Sequence, residues 1–251
     1  MLAAVAGGFA MAGGNFPVLI QPSEFIVILG AAAGALLASA PGKMKARIKA
    51  VVKLAIKENI PSQSDYLDVL KCQYELFMLA RRQGVLALEA HVNDPGKSDI
   101  FKKYPSMGKQ HHATTFMAEA LQQIVNGITP DDLEQLLEAE LDTIKAEGHL
   151  ATGLLKIIGD SLPGIGIVAA VLGSIVTMGH MDAPPAVIGA HVAAALVGTF
   201  LGILVCYGMI QPLANNAELQ ETHQLRYLTV IKSAVIASAR GVAPPTAVEF
   251  G

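Results

Sequence analysis

The chain has 251 residues, of which 52% are hydrophobic and only 16% charged, and its formal net charge is −3. Soluble domains run nearer a quarter charged, so the deficit points to lipid-facing segments, and the slightly acidic balance excludes a basic nucleic-acid binder. Cys72 falls in a charged region and Cys206 in an apolar run, so neither a disulfide nor a metal site is expected from them.

The first apolar stretch, Met1 to Met11, is too short to cross a bilayer at about 1.5 Å per residue. It has no basic flank or cleavage-like site, so it does not read as a signal peptide. The second, Phe25 to Ala40, is of borderline length. Ser23 can cap its start with Glu24 in the first turn, and Gly30 and Gly34 form a G-x-x-x-G pair suited to close helix contact.

The character then changes, with Lys43, Lys45, Arg47, Lys49, Lys53 and Lys57 in quick succession. From Pro41 to Gly148 the chain reads as water-facing and mostly helical. Leu67, Leu70, Tyr74, Phe77 and Met78 recur at helical spacing. Pro130 to Glu147 is an acidic helix with Leu133, Leu136, Leu137 and Leu141 on one face and Asp131 and Asp132 at its start.

The third apolar stretch, Leu154 to Gly179, is interrupted only by Lys156 and Asp160. The fourth, Ala186 to Ile210, holds His191 and a close-packing pair, Gly198 and Gly202. Fourteen of the 18 Lys and Arg lie between Pro41 and Gly153, and the short stretches Gly13–Glu24 and His180–Pro185 have none. The positive-inside rule therefore puts the long middle segment and the tail in the cytoplasm. The N-terminus is then cytoplasmic too. The first stretch must cross, and residues are expected to precede it.

The expected fold is an all-α membrane protein with four transmembrane helices and a large helical cytoplasmic domain between the second and third. Its parts are residues 1–40 (first two membrane helices), 41–153 (cytoplasmic domain), 154–212 (last two membrane helices) and 213–251 (cytoplasmic tail).

Several residues invite a role. Pro163, inside the third helix, and Pro212, which closes the fourth, each remove a backbone hydrogen bond and free the carbonyls of Gly159 and Gly208. A plain kink and a plain helix stop are the alternatives. Asp160 either faces a bundle interior or pairs with Lys156 at i, i+4. His191 reads as a relay or as an interfacial histidine, and His111–His112 as a solvated pair. Arg81, Arg82 and Glu89 surround Gly84 on one predicted helix, with Arg82 and Glu89 sharing a face. No Walker loop, G-x-S-x-G or H-E-x-x-H motif occurs, so no enzyme activity is expected.

Three separated motifs resemble one family. Gly159-Asp160-Ser161-Leu162-Pro163-Gly164-Ile165-Gly166-Ile167-Val168-Ala169-Ala170-Val171 resembles the third-helix signature of MotA, the larger stator subunit of the bacterial flagellar motor, in the MotA/TolQ/ExbB proton channel family. Val197-Gly198-Thr199-Phe200-Leu201-Gly202-Ile203-Leu204 with Tyr207-Gly208 and Pro212-Leu213-Ala214 is similar to its fourth helix. Ala243-Pro244-Pro245 with Ala247-Val248-Glu249-Phe250-Gly251 resembles its C-terminal motif, and Arg81 through Glu89 with Asp94-Pro95 resembles its cytoplasmic segment. The family begins earlier and continues further, so both ends are expected to be clipped.

The resemblance implies a homopentamer around a dimer of a smaller subunit, MotB, in the bacterial inner membrane, with both termini cytoplasmic. MotB supplies the ion-accepting aspartate, and the ring turns the rotor by contact with FliG. It implies roles for Pro163, Pro212, Thr199, Ala170 and Tyr207 along the ion path. Arg81 and Glu89 match the rotor-contacting charges, with Arg82 as a neighbouring charge. No cofactor is implied. Sodium-driven relatives carry a threonine where this chain has Ala170, so a proton is the expected ion and sodium the alternative. An ExbB/TolQ-type energiser and a non-conducting scaffold are the rival readings.

Overall fold

The structure is a computed structural model. It describes residues 1–40, 42–57 and 60–251, except for the side chains of Lys43, Arg47, Leu54 and Lys57. Among the described residues the chain is built from α-helices with short 3-10 and π turns and contains no strand. The helices are α1 (Leu2–Met11), α2 (Pro22–Ser39), α3 (Gly42–Lys57), α4 (Gln63–Gln83), α5 (Glu89–Val92), α6 (Asp99–Lys102), α7 (Pro105–Lys109), α8 (His111–Val125), α9 (Pro130–Met178), α10 (Pro185–Val205), α11 (Gln211–Ala239) and α12 (Pro244–Glu249).

Among the described residues three helical runs are long and apolar enough to cross a membrane: Phe16–Ser39, Pro130–Met178 and Pro185–Ala239. α1 is apolar but shorter. The acidic helix and the third apolar stretch are one continuous helix, α9, of 49 residues, about 74 Å long. Pro212 does not close the fourth helix. A π turn, Cys206–Ile210, follows α10, and α11 continues from Gln211 with Pro212 as its second residue. The Gln211 N–H donates to the Cys206 carbonyl, so the helix takes up the proline by widening one turn.

The chain divides into two compact units. One comprises Met1–Glu58 and His149–Glu218, the other Asn59–Gly148 and Leu219–Gly251.

In the first unit, α2 packs against α10 through a buried stripe of Glu24, Ile28 and Ala32. Its core adds Leu162 and Ala169 of α9, Val197 and Leu201 of α10, and Cys206. Pro22 starts α2 after Gln21, and Ser23 is not its cap. Gly30 and Gly34 lie off the buried stripe, and a Cβ on either would meet nothing within 4 Å, so among the described residues that pair makes no close helix contact. The other glycine pair does. A Cβ on Gly202 would stand 2.6 Å from the Leu162 carbonyl oxygen and 2.9 Å from the Gly166 Cα. One on Gly166 would stand 2.8 Å from the Gly198 carbonyl oxygen. α9 and α10 thus touch backbone to backbone, which only small residues permit.

In the second unit, α4 is capped by Ser62 and Asp65, whose side chains bond each other's backbone N–H. Its buried residues are Val69, Cys72, Gln73, Leu76 and Phe77, while Leu67 and Tyr74 are exposed. The buried stripe is rotated from the one the apolar spacing predicts because a glutamine joins it. The Gln73 amide donates to the Ile231 carbonyl at 3.0 Å, which makes its burial tolerable. On α9, Leu133 and Leu137 are buried, whereas Leu136 is exposed.

Tyr227 is buried, stacks edge-on with Tyr66, and donates its hydroxyl to the Asp65 carbonyl at 3.0 Å. Tyr227→Phe removes that bond. It is expected to destabilise by about 1 kcal/mol, read as a lower thermal midpoint of the purified chain.

Candidate functional site

In the first unit the two proline-marked segments lie side by side. Pro163 sits inside an unbroken α9 and is partly buried. One turn earlier, a Cβ on Gly159 would stand 2.9 Å from Ile210 Cγ2 and 3.8 Å from Gln211 Cγ. Gln211 donates from Nε2 to Asp160 Oδ1 at 2.7 Å. The carbonyl Pro163 frees therefore belongs to a residue packed on the end of the π turn, next to Pro212. Lys156 does not pair with Asp160; its ammonium pairs with Glu218 at 2.6 Å. Gly208, whose carbonyl Pro212 frees, lies inside the π turn with Met1 and Leu2 of α1 near it.

Two turns beyond Pro163, Ala170 of α9 and Thr199 of α10 flank the glycine crossing. The Ala170 backbone nitrogen lies 3.1 Å from where a Gly198 Cβ would sit, and the Thr199 Cα lies 3.3 Å from where a Gly166 Cβ would sit. Both residues are partly buried, whereas Tyr207 in the π turn is 51% exposed. A run of α9 side chains, Ile167, Val168, Val171, Leu172 and Ile175, is left exposed. That apolar surface can face lipid or a helix of another subunit.

At the end of α10 near its start, His191 stacks on His180 with ring centroids 5.0 Å apart. That pairing gives it a local partner rather than a place in the α9–α10 crossing. A residue that the sequence offered only as a first-turn acid joins this region: Glu24, 6% exposed, beside Gly198. The signal was present, since Glu24 is the only acidic residue before Glu58.

The second unit carries Arg81, Arg82 and Glu89, but not on one helix. α4 ends at Gln83, Gly84 turns the chain at φ +87°, and Glu89 opens α5 after a 3-10 turn, Val85–Leu88. A left-handed φ suits glycine there. All three charged residues are exposed, as are Val85 and Leu86, and among the described residues none of the three charges is ion-paired. This is a surface with unspent charge around an apolar tip, able to meet a charged partner.

The scaffold beneath it is held by Glu75, on α4. The Lys103 ammonium donates to its carboxylate at 2.6 Å and the Tyr104 hydroxyl at 2.9 Å. Lys103 first, and Tyr104 after it, hold the Glu75 carboxyl below its ordinary range. The Tyr104 phenol is pushed up to about 12 by burial and by that same bond. A depressed carboxylate stabilises the fold above its unfolded value of about 4.3 and loses that contribution as pH falls through the lower folded value. Glu75→Gln is therefore expected to lower the thermal midpoint at neutral pH, and to lower it progressively less as the pH falls through the folded value of Glu75.

Buried Cys72 is also pushed up to about 12, by burial first and then by Glu75 and Asp68, so its thiol stays protonated and unreactive.

Comparison with known proteins bears on both units. The motility protein A N-terminal family model matches residues 1–84, and the MotA/TolQ/ExbB proton channel family model matches residues 109–229. Motility protein A of Salmonella typhimurium is 36% identical over 253 residues, covering 100% of this chain and 85% of that protein. Motility protein A of Escherichia coli has the same identity and coverage. Chemotaxis protein LafT of Vibrio parahaemolyticus is 35% identical over 94% of this chain and 84% of its own length. Among solved structures, the flagellar MotAB stator complex of Bacillus subtilis aligns with a TM-score of 0.81 at 24% identity, over 99% of this chain and 89% of the other. MotAB of C. jejuni aligns at 0.82 and 20% identity, over 100% and 91%. The second family model also takes in TolQ and ExbB by its description, but the N-terminal model and the relatives just named are of the motility type. The chain belongs to the MotA/TolQ/ExbB proton channel family, in its motility protein A branch.

Proposed function

We propose that this chain is the ion-conducting stator subunit of a bacterial flagellar motor, coupling inward proton flow to rotation of a stator ring and torque on the rotor. The observation that carries this reading is the meeting of the two proline-marked segments at Gly159, Ile210 and Gln211, in a chain 36% identical to motility protein A along its whole length. It works as part of a ring of copies around a MotB-type dimer in the inner membrane. The rotor protein FliG meets it at Arg81, Arg82 and Glu89.

The chemistry follows from solvation. A carboxylate cannot move along an apolar wall, whereas a protonated acid can. Protonation of the partner's aspartate would let it slide past Ile167, Val171 and their neighbours. The freed carbonyls of Gly159 and Gly208 offer acceptors to that acid or to water near the inner end. Ala170 offers no oxygen, and Thr199 supplies a single hydroxyl, too few for a sodium cage, which supports a proton as the ion.

The fourth crossing is α1. Its start packs at Gly208, and the 3-10 turn that follows it, Phe16–Leu19, packs on α10. With the middle segment and both termini on the cytoplasmic side, Lys156–Glu218 marks the inner boundary. Residues 1–40 and 154–212 then form the membrane part, and 41–153 and 213–251 the cytoplasmic part.

The test is proton flux into vesicles holding the chain with and without its partner, with sodium varied at fixed pH. Flux that requires the partner and ignores sodium is expected. Partner-independent or absent flux overturns the stator reading, and sodium dependence overturns the choice of ion. For the rotor surface, Arg81→Glu is expected to leave flux unchanged and to reduce torque by at most about fivefold, because an exposed ion pair contributes about 1 kcal/mol or less. Bead rotation reads this directly.

A further inference from the structure

Glu24 does not sit where its place in the sequence suggests. It lies in the first turn of α2, yet it is 6% exposed, and its Oε2 is buried with no hydrogen-bond partner. A glycine makes room for it. A Cβ on Gly198 would stand 2.4 Å from that oxygen, 3.1 Å from Ala169 Cβ and 3.1 Å from the Ala170 nitrogen. α2, α9 and α10 therefore meet at one carboxyl.

The depth is not that of an interface. Gly198 is about 20 Å along α10 from Pro185, and Ala169 about 13 Å along α9 from Met178. Both distances lead into a hydrocarbon layer about 30 Å thick. Ser23 is the polar side chain that acts on the carboxyl, and among the described residues no charged side chain does. The nearest other titratable groups along the packed helices are His191, two turns toward the start of α10 and stacked on His180, Cys206 just past its end, Asp160 on α9, held by Gln211, and Lys156, about 20 Å along α9 from Ala169 and paired with Glu218. None offers a counter-charge. An ionised carboxylate in that setting costs far more than the neutral acid.

We propose that Glu24 is a proton-binding site of this chain's own, taking up a proton from the outer side and passing it to the route at Ala170 and Thr199. The proposal rests on the proton-channel reading above. The step is a proton transfer alone. The O–H bond of the Glu24 acid breaks, the proton passes to water or to the partner's carboxylate, and the Glu24 carboxylate is reprotonated from outside. Gly198 serves this site by leaving the carboxyl space, a second use for a glycine that also packs α10 on α9.

Two readouts test it. Infrared spectroscopy of the purified full chain should contain the carbonyl stretch of a buried protonated acid, absent in Glu24→Gln. In vesicles holding the chain with its partner, Glu24→Gln should lower flux at least about tenfold, with Glu24→Asp recovering part of it. Glutamine keeps the size of the side chain, and intact assembly by gel filtration checks the fold. An unchanged acid band in Glu24→Gln, or flux equal to wild type, overturns the proposal. If wild type itself shows no partner-dependent flux, the stator reading falls, and the infrared band still decides whether Glu24 holds a proton.

Discussion

Pro163→Ala should make the chain harder to unfold and nearly useless as a channel. The proline leaves the Gly159 carbonyl without its helical donor inside an otherwise unbroken α9. Alanine restores the N–H and removes the ring, and a proline in a helix interior costs up to about 3 kcal/mol. Neighbouring polar groups recover some of that in a membrane, so a stabilisation of about 1 kcal/mol or more is the expected outcome, read as a higher thermal midpoint in detergent. Flux should fall by about 100-fold, because transfer along the path depends on placing an acceptor to within about an ångström. Opposite signs in the two measurements separate this role from ordinary damage. A proline that serves only as a kink would give the gain in stability without the loss of flux.

Gly202→Val should do the reverse of a subtle change. The new side chain begins 2.6 Å from the Leu162 carbonyl oxygen and 2.9 Å from the Gly166 Cα, and neither atom can rotate away. Overpacking of this kind costs about 3 kcal/mol, and here the whole α9–α10 crossing must part to relieve it. The expected readout is a lower thermal midpoint together with loss of partner-dependent flux, since Thr199 and Ala170 ride on the same crossing. Gly30→Val is the control. It points a side chain into open space, where nothing lies within 4 Å, and should leave stability unchanged in the isolated chain.

The apolar stretches were legible because hydrocarbon demands uninterrupted apolar sequence, and each of the last three lies in a helical run long and apolar enough to cross a membrane. The positions of Pro163 and Pro212 were legible for the same reason, since a proline's missing donor does not depend on its surroundings. What Pro212 does was not. A proline reads as a stop, and only the packing of Ile210 on Gly159 shows why the helix runs on through a π turn instead. The Arg82–Glu89 face failed because Gly84 ends the helix, a choice that depends on its positive φ. Glu24 was legible as a lone acid, but its surroundings were not. Near a helix start a glutamate is usually explained by the dipole, and nothing in the sequence says that α2 begins beside Gly198 rather than at the level of Pro185.

The π turn at Cys206–Ile210 also limits how this region can change its length. An α-helix advances about 100° per residue, so one extra residue in a turn offsets everything after it by that angle. Val197 and Leu201 point into the core before the turn, and Ala214 and Ala217 are buried after it. Deleting one residue between Cys206 and Ile210 would remove the wide turn, while Pro212 would still leave one carbonyl without its helical donor. It would also swing Ala214 and Ala217 out of phase with the surfaces they pack on. The wide turn is thus kept by the faces on either side of it, and a gap in this stretch should be harder to tolerate than a substitution at any single position within it.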